Sequence, residues 1–169
     1  MRPGGSREKG NTFERWVANG LNAALGLAGD KAARRGLSQT RGGGAEVSDV
    51  TLPGWALHFE CKHSKADTPR TAIRQATADL AARGDTTSVP VAVVRKHGQR
   101  IPVVGMYAAD ATAFLALGVP GGRSPHGVDL RASARRLVRE TSLADFDDDH
   151  PLVLFSWPDF LALLARIGP

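Results

Sequence analysis

The 169-residue chain predicts an α/β fold, a mixed central sheet flanked by helices. Three observations carry this expectation. Val47 to Leu52 and Ala56 to Lys62 read as short strands separated by Pro53-Gly54. In that pair proline presets φ at the first turn position and glycine accepts positive φ at the next. Upstream, from about Ser6 to Leu27, apolar residues recur at helical spacing. Downstream, a helical stretch from Thr68 to about Arg83 is followed by the β-branched run Val89 to Arg95. Helical and extended segments therefore interleave along the chain, which is the order that α/β architectures need.

Met1 to Gly5 reads as a loose arm. In the first helix Phe13, Trp16, Val17, Leu21, Ala24 and Leu25 form the buried stripe. Glu14 lies at the edge of that stripe. It is either a solvated helix glutamate or a side chain turned toward a neighbouring site, where it would help hold a metal. Asp30 to Arg35 is a basic connector, and Leu37 to Arg41 is a candidate short strand. Gly42-Gly43-Gly44 is not a phosphate-binding P-loop, because no Gly-Lys-Ser/Thr follows. It suits flexibility or close backbone approach to a polyanion, with Arg41 as a phosphate contact.

Thr68 caps the second helix, Pro69 takes its first position and Gly84 stops it. Ala72, Ile73, Ala76 and Leu80 pack, while Arg70, Arg74 and Gln75 stay polar. Val89 to Arg95 is a central strand, Ile101 to Tyr107 its partner, and Ala109 to Leu117 a helix. Pro151 to Trp157 is a last strand, followed by a helix with Pro158 at its first position. That helix is apolar on more than one face through Phe160, Leu161, Leu163, Leu164 and Ile167. It either docks into the core or packs on a second subunit.

Apolar content of 42% and charged content of 23% suit one globular domain over residues 1–169. The net charge of +5 favours an anionic partner, nucleic acid first, although basic charge also serves plain solubility. The single cysteine, Cys61, excludes an intramolecular disulfide and fits a reducing, cytoplasmic setting. No CxxC or HxxxH spacing suggests zinc. The stretch Met1 to Asn11 is polar and glycine-rich and does not read as a signal peptide. The most apolar window, Ile101 to Val119, is broken by Asp110 and reads as a buried strand and helix, so no membrane partner is expected.

The chemistry concentrates between Arg41 and Lys65. Alternation along a strand puts Leu57, Phe59 and Cys61 on one face and His58, Glu60 and Lys62 on the other. If the hairpin pairs, Asp49 approaches Glu60 from the neighbouring strand. As a solvated sheet face this is an ordinary Glu–Lys pair. As a site, two carboxylates hold a hard divalent cation such as Mg²⁺. The cation polarises a phosphodiester and acidifies a bound water. Lys62 then orients the water or neutralises charge growing on the phosphate. Cys61 with His63 is a poor thiol nucleophile, since Cys61 shares the apolar face of Phe59 and no orienting Asn or Asp is evident.

Asp49 followed by Glu60-Cys61-Lys62 after a hairpin resembles the D…(D/E)xK signature of the restriction-endonuclease-like nuclease superfamily. The wider layout is similar to archaeal-type and phage Holliday junction resolvases. Glu14 matches their first-helix glutamate, Arg41 with Gly42 to Gly44 their arginine- and glycine-containing loop, and Arg74-Gln75-Ala76 their following helix. The resemblance spans roughly Arg7 to Val104. It implies a restriction-endonuclease-like sheet and a homodimeric endonuclease that resolves four-way DNA junctions by paired nicks. Glu14, Asp49 and Glu60 would be the metal ligands, and Lys62 would complete the catalytic set. Arg41, Lys65, Arg74 and Gln75 would contact DNA. The cofactor would be Mg²⁺, with Mn²⁺ as a substitute, and a phage protein of this kind would work in the host cytoplasm. A repair or restriction-type nuclease on the same scaffold is an alternative, as is a basic DNA-binding protein without catalysis. Clustered carboxylates repel phosphate and argue against the last.

Residues about 118–150 depart from the resolvase pattern and read as an insertion. It holds a Gly/Pro-rich loop, a basic helix over about Asp129 to Glu140, and an acidic cluster at Asp145 and Asp147 to Asp149. Arg131, Arg135, Arg136 and Arg139 either grip a duplex arm or form a charged surface face.

Overall fold

Helix α1, Gly5–Leu25, buries Phe13, Val17, Ala18 and Leu21 against the sheet. This computed structural model describes residues 5–36, 48–117 and 151–167. The expected strand Leu37 to Arg41, the triple glycine and the 118–150 insertion lie outside the described residues. Trp16 belongs to the expected buried stripe but is 38% exposed. It sits at the rim, where its ring packs on Phe13 and Trp157 at centroid distances of 5.9 and 5.6 Å. Arg95 caps it with its guanidinium 5.5 Å from the ring centre.

Among the described residues six strands form one sheet in sequence order: β1 Arg34–Arg35, β2 Val50–Thr51, β3 Leu57–Ser64, β4 Val89–Lys96, β5 Val103–Tyr107 and β6 Leu152–Ser156. Of these strands β3 and β4 run parallel, and the other neighbouring pairs are antiparallel. A parallel pair needs a long crossover, and helix α2, Pro69–Ala82, supplies it. The mixed sheet flanked by helices is the architecture the sequence predicts. The first strand is a correction. It forms in the segment read as a basic connector, because Arg34 and Arg35 need only their backbone groups to pair with Thr51 and Val50.

The hairpin between β2 and β3 turns at Leu52-Pro53-Gly54-Trp55. Trp55 N donates to Leu52 O at 3.2 Å, and Gly54 has φ +82°, which a side chain would strain. At the start of α2 the Thr68 hydroxyl accepts from Thr71 N at 3.2 Å. Thr71 Oγ1 accepts from Thr68 N at 2.9 Å, closing a capping box with Pro69 in the first turn.

Helices α1 and α4, Trp157–Ile167, cover the sheet face bearing Phe59, Val91 and Val93. Helix α2 covers the other face, where Ala72 and Ile73 meet Ala92 and Val94. Helix α3, Ala108–Leu117, follows β5 directly. Phe160 and Leu164 of α4 are 0% exposed, Leu163 is 5% exposed, and Leu161 and Ile167 pack on the same cluster. Of the two expectations for this helix, docking into the core is the outcome. The apolar surplus offered as part of a subunit interface is used within one chain. No helix among the described residues is long and apolar enough to cross a membrane.

Candidate metal and catalytic site

Strand β3 lies inside the sheet, and its alternation sends neighbouring residues into two environments. Phe59 and Cys61 enter the core under α1. His58, Glu60 and Lys62 project from the face that α2 covers. Asp49 immediately precedes β2. Because Val50 pairs with Phe59, Asp49 falls beside Glu60. Asp49 N donates to Phe59 O at 2.9 Å, and Asp49 Oδ2 accepts from Cys61 N at 2.8 Å. Ser48 fixes the approach, since its hydroxyl donates to Val50 O at 2.6 Å and accepts from Phe59 N at 2.8 Å. On the outer side Gly36 N donates to Asp49 O at 2.8 Å. A Cβ at Gly36 would collide with the Ser48 carbonyl oxygen, so this contact needs glycine.

Asp49 is 9% exposed and Glu60 4% exposed. Lys62 Nζ lies 2.6 Å from Glu60 Oε1. Burial, then the Asp49 charge, pushes the Glu60 carboxyl up to about 7 in spite of that ammonium. Burial works against the Lys62 charge, but the Glu60 hydrogen bond and the charges of Glu60 and Asp49 outweigh it, so the lysine value is raised and Lys62 stays protonated. Negative charge is thus in excess around Glu60, with Asp49 and Asp79 both adding to it. A bound cation would relieve that excess. The Cys61 thiol is pushed well up by burial and then by the charges of Asp49 and Glu60, which rules out a thiolate nucleophile at neutral pH.

The expected site residues divide into groups. Asp49, Glu60 and Lys62 are brought together. Glu14 is engaged elsewhere, with its Oε2 accepting from Arg35 Nε at 2.6 Å. Arg35 pairs with Val50, whose side chain belongs to the core under α1, so this ion pair lies on the α1 side of the sheet. The Glu14 charge is still felt at Cys61. Lys65 is exposed just beyond the end of β3, and Arg74 and Gln75 are exposed on the outer side of α2. Arg41 lies outside the described residues.

Three side chains that sequence reasoning did not place at the site stand against it. One ligand atom from each of His58, Glu60 and Asp79 lies within 4.8 Å of the others. Arg83 Nη2 lies 2.8 Å from His58 Nδ1. A guanidinium only donates, so Nδ1 accepts and the ring is neutral. Burial first, then Arg83, holds the His58 value down to about 4. The alternation of β3 signals His58. Asp79 and Arg83 carry no such signal, because only the crossover brings α2 over Glu60.

Comparison with protein-family models, with curated proteins and with solved structures finds no match for this chain.

Proposed function

We propose that the chain is a Mg²⁺-dependent DNA endonuclease that resolves four-way junctions as a homodimer. The observation that carries the reading is the buried pair of Asp49, just before β2, and Glu60 on β3, with Lys62 Nζ 2.6 Å from Glu60. Oxygen donors alone, from two carboxylates, suit Mg²⁺, with Mn²⁺ as a substitute. When bound there, the cation would polarise a phosphodiester and acidify a water. Asp49, tethered to the Cys61 amide, holds one ligand oxygen against the strand that carries the other. Lys62, kept protonated, neutralises charge growing on the phosphate as the bond to the leaving oxygen breaks. The net charge of +5 favours approach of DNA. The order of Asp49, Glu60 and Lys62, with its resemblance to junction resolvases, supports the substrate class, although Glu14 is engaged by Arg35 and away from the pair.

The test is incubation of the purified chain with labelled linear, forked and four-way DNA, with and without Mg²⁺. Metal-dependent, symmetric nicking of the four-way substrate is the expected result. Equal cutting of linear duplex rejects the resolvase reading and leaves a general nuclease. DNA binding with no cleavage in any metal leaves only a basic DNA-binding protein.

A further inference from the structure

His58 is 3% exposed, and its Nε2 is buried with no hydrogen-bond partner among the described residues. Buried polar atoms are normally partnered, so this orphan needs an explanation, and its neighbours supply one. The orphan belongs to a neutral imidazole clustered with two carboxylates, Glu60 on the same strand and Asp79 on α2, within 4.8 Å. One nitrogen and two oxygens from two elements already packed together make a three-donor set.

We propose that His58, Glu60 and Asp79 bind a nitrogen-accepting divalent cation, Co²⁺ or Zn²⁺, between β3 and α2. Imidazole discriminates against Mg²⁺ and Ca²⁺, which take oxygen donors, and so separates this cation from one held by Asp49 and Glu60 alone. Glu60 is common to both sets and can serve as a bridging carboxylate. The inference needs no DNA cleavage, because it rests only on side chains of β3 and α2.

Arg83 sets a condition on binding. With Nδ1 accepting from Arg83, the ring proton sits on Nε2. Ligation at Nε2 moves that proton to Nδ1, and Arg83 must then turn away, since it cannot accept it. Arg83 Nε is itself buried without a partner. The guanidinium therefore acts as a competitor for the cation, through both its charge and the tautomer it enforces.

Co²⁺ is the probe, read by visible absorption of the nitrogen-ligated ion and by calorimetric titration of the full chain. Wild type should bind one nitrogen-ligated equivalent, seen in the absorption band. His58→Gln and Asp79→Asn should each weaken binding by at least the ~10–100-fold seen when a supporting partner of a metal ligand is removed. Arg83→Met should tighten it, and Asp49→Asn should leave the absorption band in place. Circular dichroism of each variant separates lost ligands from lost fold, and the Arg83→Met gain cannot arise from unfolding. Unchanged Co²⁺ affinity in folded His58→Gln overturns the site, as does weaker binding in folded Arg83→Met. Co²⁺ binding through His58 and Asp79 in a chain that cuts no DNA upholds this site and sinks the nuclease. Mg²⁺-dependent cutting with Co²⁺ binding indifferent to His58 does the reverse.

Discussion

The Cys61 amide donates to Asp49 Oδ2 at 2.8 Å, so the candidate carboxylate beside β2 is tied to the backbone of the strand that carries Glu60 and Lys62. This bond fixes the spacing between the two carboxylates through the sheet itself.

Removing charge from the pair should stop cleavage without stopping binding. Asp49→Asn and Glu60→Gln are each expected to cut activity by about 10²-fold or more, the scale on which loss of a charge-stabilising group acts. DNA affinity should hold or rise, because less negative charge faces phosphate. Lys62→Ala should lose turnover while Mg²⁺ binding is kept. Gel-shift and cleavage assays on the same preparations measure both. An active Asp49→Asn enzyme would remove Asp49 from the site.

The Glu60 proton makes stability and metal binding pH-dependent in opposite senses. In the metal-free fold Glu60 keeps its proton up to about 7, whereas an ordinary glutamate releases it near 4.5. Between those values the folded state binds more protons than the unfolded one, so stability falls as pH rises. Mg²⁺ needs the ionised carboxylate and should bind more tightly as pH rises through the same window. Glu60→Gln should flatten the stability slope, measured by urea midpoints at about pH 5 and about pH 8. A slope that survives in Glu60→Gln assigns it to another group.

Gly36→Ala should act at a distance on Asp49. The added Cβ meets the Ser48 carbonyl, and either β1 or the Ser48–Asp49 backbone must shift. A loss of about 1–3 kcal/mol is expected, the range for overpacking, together with weaker Mg²⁺ binding. A stable variant with wild-type Mg²⁺ affinity would show that β1 moves freely instead.

Helix α4 should matter for folding and not for association. Phe160 is 0% exposed and meets Phe59 edge to face at 6.4 Å. Phe160→Ala is expected to cost about 3–5 kcal/mol, as for other buried aromatic truncations. Its sedimentation under native conditions should match wild type.

Paired nicking requires two active sites in one assembly, which a two-fold homodimer supplies. Sedimentation at micromolar concentration should report a dimer, and a junction in a supercoiled cruciform should be linearised within one binding event. A monomer that makes only single nicks rejects the paired-cut mechanism. DNA binding should also weaken steeply with salt, since phosphate contacts release counterions.

Local rules were enough for most elements. Period-two alternation located β3 and separated Cys61 from Glu60. Pro53-Gly54 located the turn, and Thr68-Pro69 located the start of α2. These signals are legible because each depends on residues a few positions apart. Asp49 beside Glu60 was also legible, since a hairpin of known turn position sets its own register. Trp16, β1 and α4 were not. An apolar stripe does not say where the core ends, so Trp16 fell at the rim. Backbone pairing is indifferent to side-chain charge, so two arginines became an edge strand. The apolar faces of α4 read equally well as core or interface until α1 and the sheet closed on them. Asp79 and Arg83 sit 19 and 23 residues beyond Glu60, counting from the sequence positions. Only the parallel pairing of β3 with β4, and the crossover it demands, lays α2 over Glu60 and His58 and brings those distant charges to the site.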